Sequence, residues 1–182
     1  MTKKTRNSLS AARSDNAFGQ LCTLQGWYKR QGNASDRTVR FGKPVSVQDV
    51  KAAEKELKIP LPPAYVRFVT THGTFKITVD GYVTALLSPK EIVRHTRSLR
   101  KEFADSDPDT EEIVADAIPV IGDPVRERYW LFIPSSQKPD HDMATTYFNC
   151  DDLCLNDRWD ESEEFVGFED LVKEVVAEKM KE

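Results

Sequence analysis

Residues 59 to 73 read IPLPPAYVRFVTTHG, with three prolines in the four positions from 60 to 63 and then a helix-like run that stops at a glycine. Pro60 excludes helical geometry for Ile59 and so ends the helix before it. Pro62 and Pro63 stand where a second helix begins, at positions whose amide hydrogens would lack partners anyway. Tyr65, Phe68, Val69 and His72 follow at i, i+3, i+4 and i+7, and Gly73 supplies a left-handed stop. The stretch therefore predicts a stiff corner between two helices, with Leu61 driven into the core at the bend. Its proline-fixed dihedrals hold the angle without any need for side-chain contacts.

Upstream, Ser46 serves as an N-cap with Asp49 three residues on, in a variant of the capping box, and Val50, Ala53 and Leu57 make one apolar stripe. This predicts a helix over about 46–58. Glu54 lies on the same stripe, which is unusual for a carboxylate. It reads as a rim glutamate bonding a neighbouring backbone or basic group rather than as a catalytic acid. Farther back, Phe18, Leu21, Leu24 and Tyr28, with Trp27 beside them, predict a short amphipathic helix between Ala17 and Arg30. The segment QGNASDRTVRFGKP, residues 31–44, is polar and glycine-bearing and predicts a loop.

Downstream, TFKITVDGYVTALL places alternating or continuous apolar residues around Asp80-Gly81, a hairpin signal. SPKEIVRHTRSLRKEF opens with Ser88 as cap, Pro89 at the first helical position and Glu91 closing a capping box. Ile92, Thr96, Leu99 and Phe103 form the inner stripe of that helix. Lys90, Arg94, Arg97 and Lys101 form a basic row on its other side, which reads as a solvated face able to touch phosphates. AIPVIG and RYWLFIP are apolar on both strand faces, as expected of interior strands covered on each side, with DPVRE as the loop between them. TTYFNC is a further strand candidate. Phe168, Leu171, Val172, Val175, Val176 and Met180 define a closing helix.

The chain has 182 residues, enough for one ordinary domain with an attached tail, and no run approaches the roughly 20 apolar residues of a membrane span. The basic, Ser-rich start has no continuous apolar segment, so it reads as a mobile solvated tail and the expected location is cytoplasmic. Cys22, Cys150 and Cys154 are an odd and sparse set that gives no disulfide framework. Charge is more informative than the net −4. Residues 1–43 carry nine Lys or Arg against two acids, or +7, which leaves −11 for residues 44–182. The main body is an acidic object whose partners are selected electrostatically, and phosphates would meet a net negative surface.

Chemistry-bearing motifs are sparse. Gly-x-Ser-x-Gly and a phosphate-binding glycine loop are both absent, which removes the usual support for hydrolase or nucleotide-binding readings. His72 and His95 fall near apolar stripes and read as hydrogen-bonded structural histidines. His141, Cys150 and Cys154 are the only zinc-like set and lack a fourth ligand. Asp105, Asp107, Asp109, Glu111 and Asp116 imitate a calcium loop, but Thr110 stands where its glycine is needed and Asp116 where it has glutamate. The expectation is no metal, no cofactor and no enzymatic activity. The stronger clue is acidic. From Asp151 to Asp170 nine acids face the single Arg158, interspersed with Leu153, Leu155, Trp159 and Phe165. Such a segment is either a solvated loop that aids solubility or a partner surface. As a surface, its candidate residues are Asp151, Asp152, Asp157, Trp159, Asp160 and Glu161, together with Asp105, Asp107 and Asp109.

The run VSVQDVKAAEKELKIPLPPAYVRFVTTHGTF resembles the signature of the SUKH superfamily, specifically its Smi/Knr-like domain: a Glu-x-x-Leu helix, a Leu-Pro corner and an aromatic-rich helix ending in a polar residue and glycine. Those positions are Glu54, Leu57, Leu61, Pro62, Tyr65, Phe68, His72 and Gly73. AIPVIGD followed by YWLF is similar to the central hairpin, and FVGFEDLVKEV to the closing helix. The hairpin loop departs from the pattern, with GDPVRER where relatives carry glycine and acids. The resemblance implies an α+β domain over 44–182, a mainly antiparallel central sheet flanked by helices, behind a basic extension over 1–43. It further implies a non-enzymatic protein of either of two kinds. One is a bacterial immunity protein that neutralises a cognate polymorphic toxin, often a nuclease; the other is a regulatory interaction scaffold.

Overall fold

The computed structural model describes residues 3–32, 36–105, 111, 114–126, 128–134, 145–149, 154–155 and 167–181, with side chains for all of these except 3–15, 145–149 and 154–155. At the corner, helix α2 (Val47–Leu57) ends one residue earlier than expected, because Lys58 turns left-handed with φ 59°. Pro62, with φ −54° and ψ 129°, is the N-cap of α3 (Pro63–Thr71), whose first residue is Pro63. Leu61 is buried, and its amide donates to Glu54 Oε1 at 3.0 Å. Glu54 is thus the rim glutamate foreseen: it accepts the only backbone amide hydrogen that residues 60–63 possess. Gly73 ends the turn with φ 82°, donating to the Val69 carbonyl at 3.1 Å. A Cβ at Gly73 would run into the backbone carbonyls of Gly42 and Lys43.

The caps and turns behave as their residues dictate. Ser46 Oγ accepts from the Asp49 amide at 3.1 Å and donates to the Asp49 carboxylate at 2.7 Å, so Asp49 closes on the cap's hydroxyl. Asp80 and Gly81, with φ 49° and 83°, link β2 (Phe75–Val79) to β3 (Tyr82–Leu86), the sign pattern of a type I′ turn. The capping box of Ser88 and Glu91 starts α4 (Pro89–Glu102), and Ile92, Thr96, Leu99 and Phe103 are buried beneath it.

The sheet comprises β1 (Arg37–Phe41), β2, β3, β4 (Ile118–Asp123), β5 (Arg128–Phe132), β6 (Thr145–Asn149) and β7 (Cys154–Leu155). Its strands lie in chain order, each antiparallel to the next. The fold is α+β, with a central antiparallel sheet flanked by helices. All six residues of β4 are buried, as a strand covered on both faces must be, whereas β2 alternates. Val120 is the extra residue of a bulge opposite β5, and its carbonyl accepts from the Leu87 amide at 2.9 Å. Pro119 is tolerated inside the sheet because it sits at that bulge.

Helix α5 (Phe168–Lys181) closes the core with Phe168, Leu171, Val172, Val175 and Val176. Phe68 of α3 meets the Phe168 ring at 5.2 Å and Phe75 edge-on at 6.1 Å. His72 stacks on Phe18 with ring centroids 4.3 Å apart. Three expectations need correction. The first helix is not short: α1 runs Lys3–Arg30, and Ala17, Leu21, Leu24 and Tyr28 are buried in the core. The stretch expected as a loop contains β1, which contributes Val39 to the core while Gln25 Nε2 donates to its carbonyl at 2.9 Å. Met180 lies outside the apolar face of α5, with 38% of its surface exposed.

Candidate docking surfaces

Asp105, just beyond the end of α4, is exposed. Asp107, Asp109, Asp151, Asp152, Asp157, Trp159, Asp160 and Glu161 lie outside the described residues. So do His141 and Cys150 of the zinc-like set. Of the calcium-like set, Glu111 is exposed and Asp116 half-buried. Among the described residues no group of three or more His, Cys, Asp or Glu is placed to hold a metal ion, and no helix is long and apolar enough to cross a membrane.

Two surfaces in the described part present built geometry. The first is the turn between β4 and β5, where the sequence departs from the expected loop. Asp123 is buried, and its carboxylate accepts from the amides of Val125 at 3.0 Å, Arg126 at 3.3 Å and Val83 at 3.3 Å, and from Arg126 Nη1 at 2.8 Å. Burial alone would raise its pKa. The Arg126 guanidinium and the three amides outweigh that and hold the carboxyl below its ordinary range. The same network aims what surrounds it. The Arg126 guanidinium carbon lies 4.1 Å from the centre of the Tyr82 ring; Val125 is 82% exposed and Tyr82 53%. A tyrosine of β3 and an arginine of the turn packed against each other are the residue types that anchor protein interfaces.

The second surface is a groove of about 630 Å³ between α2 and α4. Ala52, Ala53 and Val93 give it an apolar lining. Lys90, Arg94, Arg97 and Lys101 stand along α4, facing Asp49 and Glu56 of α2. Arg97 Nη2 reaches Glu56 at 2.8 Å, and Lys90 Nζ reaches Asp49 at 3.7 Å. Arg94 Nη2 is 2.9 Å from His95 Nε2, and His95 Nδ1 is 3.0 Å from the Tyr129 hydroxyl. Because a guanidinium only donates, Nε2 accepts and the imidazole proton sits on Nδ1, directed at Tyr129. His95 is therefore structural, tying an exposed arginine to the buried Tyr129 of β5. The sequence shows the basic row but not the groove, since no periodicity states which helix lies opposite another.

The model of the SMI1 / KNR4 family (SUKH-1) matches residues 44–172, from just before α2 into α5, leaving out α1 and β1. No curated protein matches the chain.

Proposed function

The chain belongs to the SMI1 / KNR4 family (SUKH-1), and from that membership we propose that it is a non-enzymatic immunity protein that binds a cognate polymorphic toxin, a basic nuclease, and neutralises it by occlusion. The observation that carries the reading is the charge of −11 on residues 44–182, against +7 on the segment before them. A nucleic-acid-cleaving toxin must present a cationic surface to phosphates, and an acidic body competes for that surface while steering the encounter. Asp105, Asp107, Asp109, Asp151, Asp152, Asp157, Asp160 and Glu161 would supply the carboxylates. Trp159, with Tyr82 of β3 and Val125 of the β4–β5 turn, would supply apolar anchors that slow release.

The experiment is co-expression with the product of a neighbouring toxin gene, followed by growth measurement and purification of the complex. Rescue of growth, with association that slows as salt rises, is the expected result. Unrescued growth and no complex would overturn the proposal. The second reading is a regulatory interaction scaffold, favoured by the basic groove between α2 and α4, whose charge has the wrong sign for a basic toxin. An immunity gene sits beside a toxin gene, and a scaffold gene need not.

A further inference from the structure

We propose that the groove between α2 and α4 is a docking site for an acidic amphipathic helix of a partner protein, a proposal independent of the toxin reading above. Its cations are ordered. Lys90, Arg94, Arg97 and Lys101 recur at i, i+4, i+7 and i+11, a row of about 16 Å along α4. A helix laid alongside, with carboxylates at the same intervals, meets every one of them. The row is a local concentration of positive charge in a body whose net charge is −11.

Two of the four cations already show what the site accepts. Arg97 and Lys90 hold carboxylates of α2, Glu56 at 2.8 Å and Asp49 at 3.7 Å. These pairs are largely exposed, and such pairs exchange readily with an incoming carboxylate. Arg94 and Lys101 are exposed and have no carboxylate within ion-pair distance among the described residues. Arg94 is the preorganised member. Its guanidinium bonds His95, which bonds Tyr129 of the sheet, so part of its freedom is already restricted before a partner arrives.

The lining decides between polyanions. Ala52, Ala53 and Val93 offer apolar surface beneath the charges, and the volume of about 630 Å³ accommodates aliphatic side chains. Among the described residues no aromatic side chain lines the groove to stack a base, so a nucleic acid gains only charge contacts there. A helix carrying carboxylates on one edge and leucines on the next uses both features, the helix-in-groove mode.

The test is fluorescence anisotropy with the full chain and a labelled peptide of about sixteen residues, with Glu at i, i+4, i+7 and i+11 and Leu on the adjacent face. A peptide of the same composition in shuffled order and a single-stranded RNA of equal charge serve as comparisons. The expected result is saturable binding with Kd on the order of 10 μM, weakened about tenfold or more both by R94E/K101E and by Ala52→Trp, which fills the groove without changing charge. Ser98→Trp, on the α4 side of the groove, replaces Ala52→Trp if that variant fails to fold. Any of three results overturns the proposal: equal affinity for the shuffled peptide, tighter binding of the RNA, or indifference of binding to the tryptophan.

Discussion

Replacing Glu54 by alanine tests the logic of the proline corner at the side chain that accepts its one amide hydrogen. Of residues 60–63 only Leu61 has an amide hydrogen, and Glu54 Oε1 accepts it at 3.0 Å. Hydrogen bonds to a charged acceptor contribute about 1.5–3 kcal/mol, and leaving the donor unmet at a buried residue costs about 1–3 kcal/mol. Glu54 is half-buried, so water partly replaces it, and the expected loss for Glu54→Ala is about 2 kcal/mol. Glu54→Gln keeps an acceptor oxygen without the charge and should lose about 1 kcal/mol. For a domain of this length 2 kcal/mol lowers Tm by about 5 °C. Urea unfolding followed by tryptophan fluorescence, with calorimetry alongside, reads both numbers, and the denaturant slope should stay constant because the fold is retained. An alanine variant within about 0.5 kcal/mol of wild type, or a glutamine variant as damaged as the alanine, would refute the reasoning.

Two further predictions concern the turn and the helix stop. The folded Asp123 carboxyl titrates below its ordinary value, so its contribution to stability is complete above about pH 4 and is lost as pH falls through the folded value. The stability gap between wild type and Asp123→Asn should therefore narrow in urea melts taken below about pH 4, and a gap unchanged with pH would count against this network. Gly73→Ala forces a Cβ into the left-handed region and against the Gly42 and Lys43 carbonyls, so it should cost at least about 2 kcal/mol, or about 5 °C of Tm. A folded Gly73→Ala protein melting within about 2 °C of wild type would show that the segment before α2 yields.

What was legible in the sequence was what covalent geometry and local hydrogen bonds determine. Pro60, Pro62 and Pro63 permit few backbone angles, Asp80-Gly81 suits a tight hairpin, and Ser88 with Glu91 closes a local box, so these positions predict their structure without knowledge of neighbours. Strand β1 was not legible because Val39 is its one fully buried residue, between the exposed Arg40 and the half-buried Thr38. An edge strand paired on one side needs no alternation longer than that. The first half of α1 has no apolar stripe to mark it. The groove was half legible: its basic row stands in the sequence, but the facing carboxylates of Asp49 and Glu56 become its opposite wall only once α2 packs on α4. The acidic docking residues, apart from Asp105, fall outside the described residues, so they stand as proposals drawn from charge and family.

Every strand pairs with its immediate neighbour in the chain, yet α1 also packs on α5, well over a hundred residues on, where the Tyr28 hydroxyl donates to the Lys179 carbonyl at 2.9 Å. During synthesis the sheet can assemble piece by piece as it leaves the ribosome, while the face of α1 that packs on α5, Tyr28 with it, waits for residues 168–181 to emerge. A nascent chain stalled short of residue 168 would leave that face of α1 open to chaperones and proteases.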